Sequence, residues 1–494
     1  MTPAPSSRAL VPVLIFIGTV VAVISSLGAP LVPAIAERTG ASLTDAQWSL
    51  TVTLLVGAVA TPVVGRLGDG PRRRSVVLTV LALVTAGGAL AALPLGLGWL
   101  IAGRALQGFG LGLTPVAIAI ARDALSGGRS RSTVAALSVT VVAGLGLGYP
   151  TAGLIAELGG VHAAFWTGAA ISLLALVCAA VVLPSAPDAP ARPLDVVGAV
   201  LLGAGLAGVL LALGEAETWG PRSPVLWGLA GGAVLVLALW LGWESRTPSP
   251  LVDLRLARGR VAGTAHVAAL LVGLANYLLL ATIPILAQAP ADHGAGFGTS
   301  IVVAGLILLP FSLASVVAGR TARWIADRDL ARAVLPSAAL VQGAGFVLFL
   351  VARAELWQLF LVMAVAGFGV GAAFAAFPAL IISTVPASET GSAMSLNQVL
   401  RYVGFATGSA LTATILAAAT PAGASSPADG GYRAIAIVGL AVCLLTAAAT
   451  WLIPGRPAAG PIVRPGERGP SGRTPGSAPA RRSAPAGWTA RRTR

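Results

Sequence analysis

Residues 99–115 read WLIAGRALQGFGLGLTP, and this stretch places one arginine, Arg104, inside a run of apolar and small residues. The run is one of many apolar blocks of about 20 residues, the length at which an α-helix spans about 30 Å of hydrocarbon. The chain of 494 residues is 56% hydrophobic and 10% charged, whereas soluble domains are about a quarter charged. The sequence therefore predicts an all-α integral membrane protein.

Apolar blocks bounded by proline, glycine and charged residues predict fourteen membrane-spanning helices. Their expected limits are 10–35, 47–67, 75–95, 98–121, 133–157, 163–183, 194–214, 224–243, 262–288, 298–319, 333–352, 356–383, 391–419 and 432–453. The first apolar run is too long for the core of a cleaved signal peptide, so we expect a retained first span. An even number of spans places both termini on one side of the membrane.

All 32 basic residues are arginine, and their distribution indicates the orientation. Arg38, Arg222, Arg353 and Arg433 fall on the side opposite the termini, Arg104 lies within a span, and the others fall on the side of the termini. The positive-inside rule therefore predicts cytoplasmic termini in a multi-pass protein of the inner (plasma) membrane. Because the arginines are scattered between apolar blocks, no nucleic-acid partner is expected.

An internal repeat predicts the domain organisation. GFGLG at 108–112 recurs as GFGVG at 367–371, and GRLGDGPRRR at 65–74 has a diverged counterpart, GRTARWIADR, at 319–328. Two homologous halves would then flank an inserted hairpin. The expected segments are a cytoplasmic N-terminus (1–9), a six-helix bundle (10–183), a two-span hairpin (194–243), a second six-helix bundle (262–453) and a disordered basic cytoplasmic tail (454–494).

This pattern of six, two and six spans, with the motifs described below, resembles the major facilitator superfamily in its fourteen-span drug:proton antiporter form. The resemblance implies two six-helix bundles around a cavity near the membrane midplane and transport by alternating access. It also implies proton-coupled export of small amphipathic or drug-like compounds by a monomer in the lipid bilayer. No cofactor or metal is expected, since the two cysteines lie in apolar blocks and no Cys/His cluster exists.

The segment GRLGDGPRRR resembles the cytoplasmic loop signature of that family, although Gly70 and Arg72 depart from its pattern. A carboxylate is stabilised at a helix N-terminus, and the resemblance places Asp69 at the start of span 13, near Gly391. It also pairs the loop arginines with Asp123. The residues assigned to this cytoplasmic gate are Gly65, Asp69, Arg72, Arg73, Asp123 and Arg401. The alternative for Arg401, about two turns into span 13, is a polar residue of the cavity. The alternative is that the arginines only fix the membrane topology.

Arg104, Gln107, Gly108 and Gly110 match the span-4 motif of the family. An arginine inside the membrane costs about 2.5 to 3.5 kcal/mol on insertion scales, so it normally faces a cavity or a partner. The alternative is that Arg104 snorkels to the outer surface, about 7 to 8 Å away along the helix. The resemblance gives Arg104 a role in proton coupling beside a buried carboxylate, yet no acid falls in the middle of a span.

The segment AGLGLGYPTAG at 143–153 resembles the antiporter motif of span 5. Small residues spaced by four allow close helix packing, and proline bends a helix. The residues assigned to helix packing and to this motif are Gly108, Gly110, Gly144, Gly148, Pro150 and Gly153. Those assigned to substrate binding or proton coupling are Arg104, Gln107, Tyr149, Asn276, Tyr277 and His266. The alternative for His266 is an interfacial side chain without a role in coupling.

Two other functions stay open from the residues alone. The chain could be an uptake transporter or a uniporter of an uncharged metabolite, which would need no proton flux. A membrane-embedded enzyme is more remote, because the short loops lack paired acids and a Ser/His/Asp set. The glycine-rich segments within spans lack the lysine of a phosphate-binding loop, so no ATP-driven mechanism is expected. We therefore expect no enzyme, and a small-molecule substrate and protons as partners.

Overall fold

The structure is a computed structural model and describes residues 7–27, 31–185, 193–220, 222–290, 296–325, 331–421 and 427–451. This part of the chain is all-helical, as predicted. The α-helices are α1 (Ser7–Ser26), α2 (Val32–Thr39), α3 (Leu43–Gly68), α4 (Arg73–Ala92), α5 (Leu97–Gly108), α6 (Leu113–Ala124), α7 (Gly127–Val182), α8 (Val196–Gly214), α9 (Ala216–Trp219), α10 (Pro224–Glu244), α11 (Leu254–Ala257), α12 (Arg260–Gln288), α13 (Ile301–Ile307), α14 (Leu309–Ile325), α15 (Ala331–Val351), α16 (Leu356–Ile382), α17 (Thr390–Ala418) and α18 (Asp429–Trp451).

In the described residues, twelve helical segments are long and apolar enough to cross a membrane, so the fourteen predicted spans are not confirmed. The apolar part of α1, Ala9–Ile24, is shorter than the other twelve. The predicted spans 133–157 and 163–183 belong to one helical run, α7, which has 56 residues. Its backbone leaves helical geometry at Gly160, where φ is 77° and ψ is 174°. Only glycine adopts this region readily.

Three predicted spans are interrupted where glycine and proline weaken the helix. The span expected at 10–35 is divided into α1 and α2, and a proline stands in the first turn of α2. The span expected at 98–121 consists of α5, a 3-10 turn at Phe109–Gly112 and α6. The span expected at 298–319 begins at Ile301, breaks between α13 and α14, and continues to Ile325.

We call α1–α7 the first half of the chain and α12–α18 the second half. In the first half, α7 packs on α1 and α4, and α5 packs on α3 and α4. In the second half, α12 packs on α17, and α16 packs on α14 and α15. Between the halves, α17 contacts α3 and α6, while α7 contacts α13, α14 and α16. These two sets of contacts position the charged residues discussed below.

Helices α8 and α10 lie between the halves in the sequence and pack against each other, with α8 also contacting α3 and α17. The outer face of α10 carries exposed large apolar side chains such as Trp227 and Leu235, as expected of a surface that faces lipid. The residues expected to form the tail, 454–494, lie outside the described residues. The bundle limits expected from the sequence stay predictions.

Candidate functional site

The carboxylate of Asp69, which follows α3, sits on the N-terminus of α17 in the other half. One oxygen accepts a hydrogen bond from the Gly391 backbone N–H at 2.7 Å. The other accepts from the Ser392 backbone N–H at 2.9 Å and from the Ser392 hydroxyl at 2.7 Å. The first N–H groups of a helix have no partner within the helix and carry its positive dipole end. An anion therefore joins the two halves here.

Close backbone approach accompanies this contact, one turn earlier on α3. A Cβ atom added at Gly65 would lie 2.8 Å from the Gly391 carbonyl oxygen and 3.0 Å from Ser395 Cβ. The α3 and α17 backbones could not approach so closely with a larger residue at position 65. Gly65 therefore allows Asp69 to reach the N–H groups of α17.

Arg122, near the end of α6, binds the loop of the second half that joins α16 to α17. It contacts this loop at the C-terminus of α16, whereas Asp69 contacts the N-terminus of α17. Its guanidinium donates to the carbonyl oxygens of Ile382 at 3.2 Å, Val385 at 3.0 Å and Pro386 at 3.2 Å. It also donates to the Thr390 hydroxyl at 2.6 Å. A cation at the C-terminus of α16 is favoured by the helix dipole and satisfies its unpaired carbonyls.

We call Asp69, Arg122, Gly391, Ser392 and the backbone acceptors at residues 382–386 the latch. The loop between α16 and α17 is held at both ends, by an anion on one helix terminus and a cation on the other. Sequence analysis identified Asp69 and missed Arg122, because the acceptors of Arg122 are mostly backbone carbonyls. The sequence signal that could have identified Arg122 is its position as a basic residue directly after the predicted span 98–121.

Further ion pairs surround the latch. Arg66 pairs with Glu389 across the halves at 3.4 Å, and both side chains are buried. Arg73 pairs with Asp123 within the first half at 2.5 Å, which is the pairing that the family resemblance implies. Arg72 is exposed. Arg74 donates to the Ala180 carbonyl oxygen at 2.6 Å, and so ties the start of α4 to the end of α7.

Burial raises the pKa of the Asp69 carboxyl above its ordinary value. The hydrogen bonds from Ser392 and Gly391 and the nearby Arg66 guanidinium oppose that rise. The buried carboxyl therefore binds a proton more readily than an exposed aspartate does.

Arg104 lies in a second charged centre, inside the first half. Its side chain is 0% exposed. Its Nε donates to the Ser49 carbonyl oxygen at 3.0 Å, and its Nη1 donates to the Ile24 carbonyl oxygen at 2.9 Å and to Gln107 Oε1 at 2.7 Å. Neutral oxygens from α1, α3 and α5 thus surround the guanidinium. Snorkelling of Arg104 to the outer surface, one of the two sequence alternatives, is therefore wrong.

The glycines of the span-4 motif bring α5 against its neighbours. A Cβ atom at Gly108 would lie 2.6 Å from the Thr53 carbonyl oxygen, and one at Gly110 would lie 2.9 Å from a methyl carbon of Val84. The Thr53 hydroxyl also donates to the Arg104 carbonyl oxygen at 3.1 Å. These contacts hold Arg104 against α3.

The span-5 motif residues differ in their surroundings. A Cβ atom at Gly144 would lie 3.1 Å from Ala22 Cα, and Gly148 is buried. Pro150 lies on the face of α7 that meets Gly305 of the second half, at 3.5 Å from a Cβ atom built there. A Cβ atom at Gly153 would meet nothing within 4 Å. The expectation that Gly153 is a helix-packing glycine is therefore wrong for this structure.

A third polar centre lies on α17. Gln398, Arg401, Tyr402 and Phe405 are spaced by three, four and seven residues and share one face of the helix; we call them the α17 cluster. Arg401 was expected at the gate. It instead lies about 15 Å beyond Gly391 along α17 and has no hydrogen bond to the latch among the described residues. Its Nη2 donates to Gln398 Oε1 at 3.1 Å, and its guanidinium carbon lies 4.5 Å from the Phe374 ring centre.

Aromatic side chains from both halves approach the α17 cluster. The ring centres of Tyr277 and Phe405 are 5.8 Å apart, and the hydroxyl of Tyr149 lies within electrostatic range of that of Tyr277. Asn276, the neighbour of Tyr277, is buried, and neither polar atom of its amide has a hydrogen-bond partner among the described residues. The structure thus brings Tyr149 and Tyr277 together, but not with Arg104.

His266 lies about 9 Å from the start of α12, close to the latch end of the molecule. It lines a small cavity together with Asp253, Glu389 and Ser392. The ring is buried, and its Nδ1 has no partner in the described part of the chain. His266 is therefore neither an exposed interfacial residue nor a neighbour of the Arg104 centre.

The sequence matches the family model of the Major Facilitator Superfamily over residues 14–241 and 265–493. The chain belongs to this superfamily. Its relatives and its fold are those of transporters and not of enzymes. The human organic anion transporter MFSD10 (TETRAN) has a similar structure, with a TM-score of 0.66 and 17% sequence identity over 90% of this chain and 100% of that chain. At this identity the likeness concerns the fold alone.

Several bacterial transporters are similar in sequence. A triacylglyceride transporter of Mycolicibacterium smegmatis is 27% identical over 385 residues, which are 73% of this chain and 66% of that protein. The tetracenomycin C resistance and export protein of Streptomyces glaucescens is 28% identical over 80% of this chain and 73% of its own. The "probable actinorhodin transporter" of Streptomyces coelicolor is 28% identical over 81% and 70%. The chain spans slightly less than two thirds of the first of these relatives.

Proposed function

We propose that this protein is a proton-coupled exporter of small amphipathic or drug-like compounds that works by alternating access in the plasma membrane. The observation that carries the proposal is the latch, in which charges of the first half hold both helix termini of one loop of the second half. Such contacts can break and reform as a unit, as a gate between two conformations requires. The protein acts as a monomer and needs no cofactor.

We further propose fourteen spans, with both termini in the cytoplasm. Two features support the higher number. The 56 residues of α7 would extend about 84 Å as one straight helix, far more than a bilayer requires, and the backbone break at Gly160 divides them into two spans. The apolar helix α1 supplies the other span. With this number, the arginine distribution supports a cytoplasmic position of the latch.

Export is supported by the names of the relatives. One relative is named for resistance to and export of tetracenomycin C, another as a probable actinorhodin transporter, and a third for triacylglyceride transport. The described residues offer a membrane interior with few charges, in which Arg104 and Arg401 are the buried arginines at a distance from the helix ends.

For proton coupling we propose Asp69 as the titrating group and Arg104 as a fixed charge. Arginine keeps its proton in proteins, and the partners described for Arg104 are neutral oxygens. The pKa of Asp69 is raised by burial in the closed latch, and opening would return the carboxyl to water. Protons therefore stabilise the state that is closed on the cytoplasmic side.

Inside-out membrane vesicles provide the test. With an acidic lumen, we expect a fluorescent amphipathic dye to accumulate in the vesicles, and we expect nigericin, which collapses the proton gradient, to abolish the accumulation. Accumulation without a gradient would refute proton coupling. Dye movement from the lumen to the medium would instead support the uptake alternative, and no movement of any dye in a broad panel would refute drug export.

A pair of arginine variants sharpens this experiment. Arg104→Ala leaves the Ile24 and Ser49 carbonyls and the Gln107 amide without their charged donor, so we expect loss of transport. Arg246→Ala removes an exposed arginine at the end of α10, and we expect normal transport. Equal activity of the two variants at equal expression would remove Arg104 from the mechanism.

A further inference from the structure

Arg401 is buried in the membrane region of the second half with fewer hydrogen-bond acceptors than its charge requires. The side chain is 3% exposed. Among the described residues, Gln398 Oε1 is its one hydrogen-bond acceptor, although a guanidinium has five N–H donors. Arg104, by contrast, has oxygens from three helices around it. A buried cation is stabilised by an anion or by several acceptors, so Arg401 is suited to receive an additional acceptor.

Gln398 is fixed in the orientation that serves Arg401. Its Nε2 donates to the Leu111 carbonyl oxygen at 2.6 Å and to the Tyr402 hydroxyl at 2.6 Å. Its Oε1 is thereby turned to Arg401. The Leu111 carbonyl belongs to the 3-10 turn between α5 and α6, where the helix interruption frees it for this contact. The α17 cluster thus meets the first half at this point.

The surroundings of Arg401 are aromatic. Its guanidinium stacks on Phe374 at 4.5 Å, while Phe405 lies 6.1 Å from Tyr402 and 5.8 Å from Tyr277 between ring centres. Aromatic rings bind flat aromatic ligands by offset stacking. Next to Tyr277, the buried Asn276 amide has a donor and an acceptor without partners in the described residues. Asn276 lies one turn after Gly273 on α12, and a Cβ atom built at Gly273 would lie 3.3 Å from Arg401 Cα.

We propose that the α17 cluster, with Asn276 and Tyr277, binds aromatic organic anions, and that Arg401 binds their carboxylate or ionised phenol. This inference rests on the proposed export function and narrows its substrate class. A guanidinium binds a carboxylate through two parallel hydrogen bonds, while the rings hold the aromatic body. Cations of the same shape are excluded, because they would meet Arg401 without a counter-charge.

Two dyes with the same xanthene ring system test the charge preference. Fluorescein carries a carboxylate and an ionisable phenol, whereas rhodamine 123 is a cation. In inside-out vesicles we expect faster accumulation of fluorescein than of rhodamine 123. Arg401→Gln should raise the KM for fluorescein by about tenfold or more, the effect of losing a hydrogen bond to a charged group, while Arg401→Lys should retain part of the affinity.

Arg433→Gln is the matched control, because it removes an arginine of the second half whose side chain is 65% exposed. It should leave the KM for fluorescein unchanged. Faster transport of rhodamine 123 would overturn the proposal for anions while leaving export intact. An unchanged KM for fluorescein in Arg401→Gln would overturn the role of Arg401.

Fluorescein binding to the purified protein separates this inference from the export proposal. We expect the dissociation constant of fluorescein to rise by about tenfold in Arg401→Gln, with a melting temperature close to that of Arg401→Lys. Binding that depends on Arg401 without export would refute the export function and retain the site. Absence of fluorescein binding to the unmodified protein would refute the site.

Discussion

Replacement of Asp69 by alanine should open the latch. The variant removes the acceptor of three donors, the N–H groups of Gly391 and Ser392 and the Ser392 hydroxyl. Hydrogen bonds to a charged group contribute about 1.5 to 3 kcal/mol each, which gives a gross effect of about 4.5 to 9 kcal/mol. The substitution also removes the free-energy cost of burying the charged carboxylate, which the raised pKa reflects. This gain offsets part of the loss of hydrogen bonds. A net loss of about 2 kcal/mol or more would raise the open population about 30-fold.

A cysteine beneath the latch measures the open population. Ser395 is 0% exposed, lies one turn after Gly391 on α17, and faces Gly65. We would introduce Ser395→Cys in a background without Cys178 and Cys443. A membrane-impermeant thiol reagent would then be added to inside-out vesicles. If opening is fast and rare, the labelling rate is proportional to the open fraction, so a 30-fold change in population appears as a 30-fold change in rate.

Matched variants define the result that refutes this reasoning. Asp69→Asn keeps one oxygen for two of the three donors and should give an intermediate labelling rate. Asp45→Ala removes an exposed carboxylate at the other end of α3 and should leave the rate unchanged. A labelling rate in Asp69→Ala within about twofold of the parent would show that Asp69 does not hold the latch closed.

The same reporter cysteine gives further predictions. Arg122→Gln should raise the labelling rate about tenfold or more, because charged bonds to three carbonyls at the end of α16 are lost; an unchanged rate would limit Arg122 to a local role. Since the pKa of Asp69 is raised in the closed latch, lowering the pH through that pKa should slow labelling relative to Asp69→Ala at the same pH, and a constant ratio would contradict the linkage. Gly108→Ala should lower the melting temperature, since its Cβ would lie 2.6 Å from a backbone oxygen, while Gly153→Ala should not, because its Cβ meets nothing within 4 Å; equal melting temperatures would contradict the packing argument.

Most of the helices could be predicted from the sequence, because apolar blocks of fixed length reflect the thickness of the bilayer. The break at Gly160 falls between two predicted spans, but interruptions within a span could not be predicted. Hydropathy does not distinguish a straight helix from one interrupted at the turn Phe109–Gly112, since glycine is tolerated in both. The count of twelve segments in place of fourteen follows from the counting of α7 as one segment across Gly160 and from the short apolar part of α1.

The contacts of the charged residues could be predicted where the partner is another side chain, or a helix end that belongs to a recognised sequence motif. Asp69 belongs to such a motif, and so does the pairing of Arg73 with Asp123. The partners of Arg104 and Arg122 include backbone carbonyls, which every residue has and which no sequence pattern displays.

The internal repeat predicts equivalent junctions in the two halves, but the latch charges do not repeat. Alignment of GRLGDGPRRR with GRTARWIADR places Arg323 at the position of Asp69, and alignment of the glycine motifs places Ile381 at the position of Arg122. Arg323 donates to the Gly319 carbonyl oxygen of its own helix, and a cation would be unfavourable at the N-terminus of α7. Among the described residues, the junction of α7 with α14 is closely packed, with Gly319 against Val139. At the junction of α17 with α3 and α6, Asp69 and Arg122 hold both helix termini of one loop, so a single substitution at either residue should shift the equilibrium between conformations.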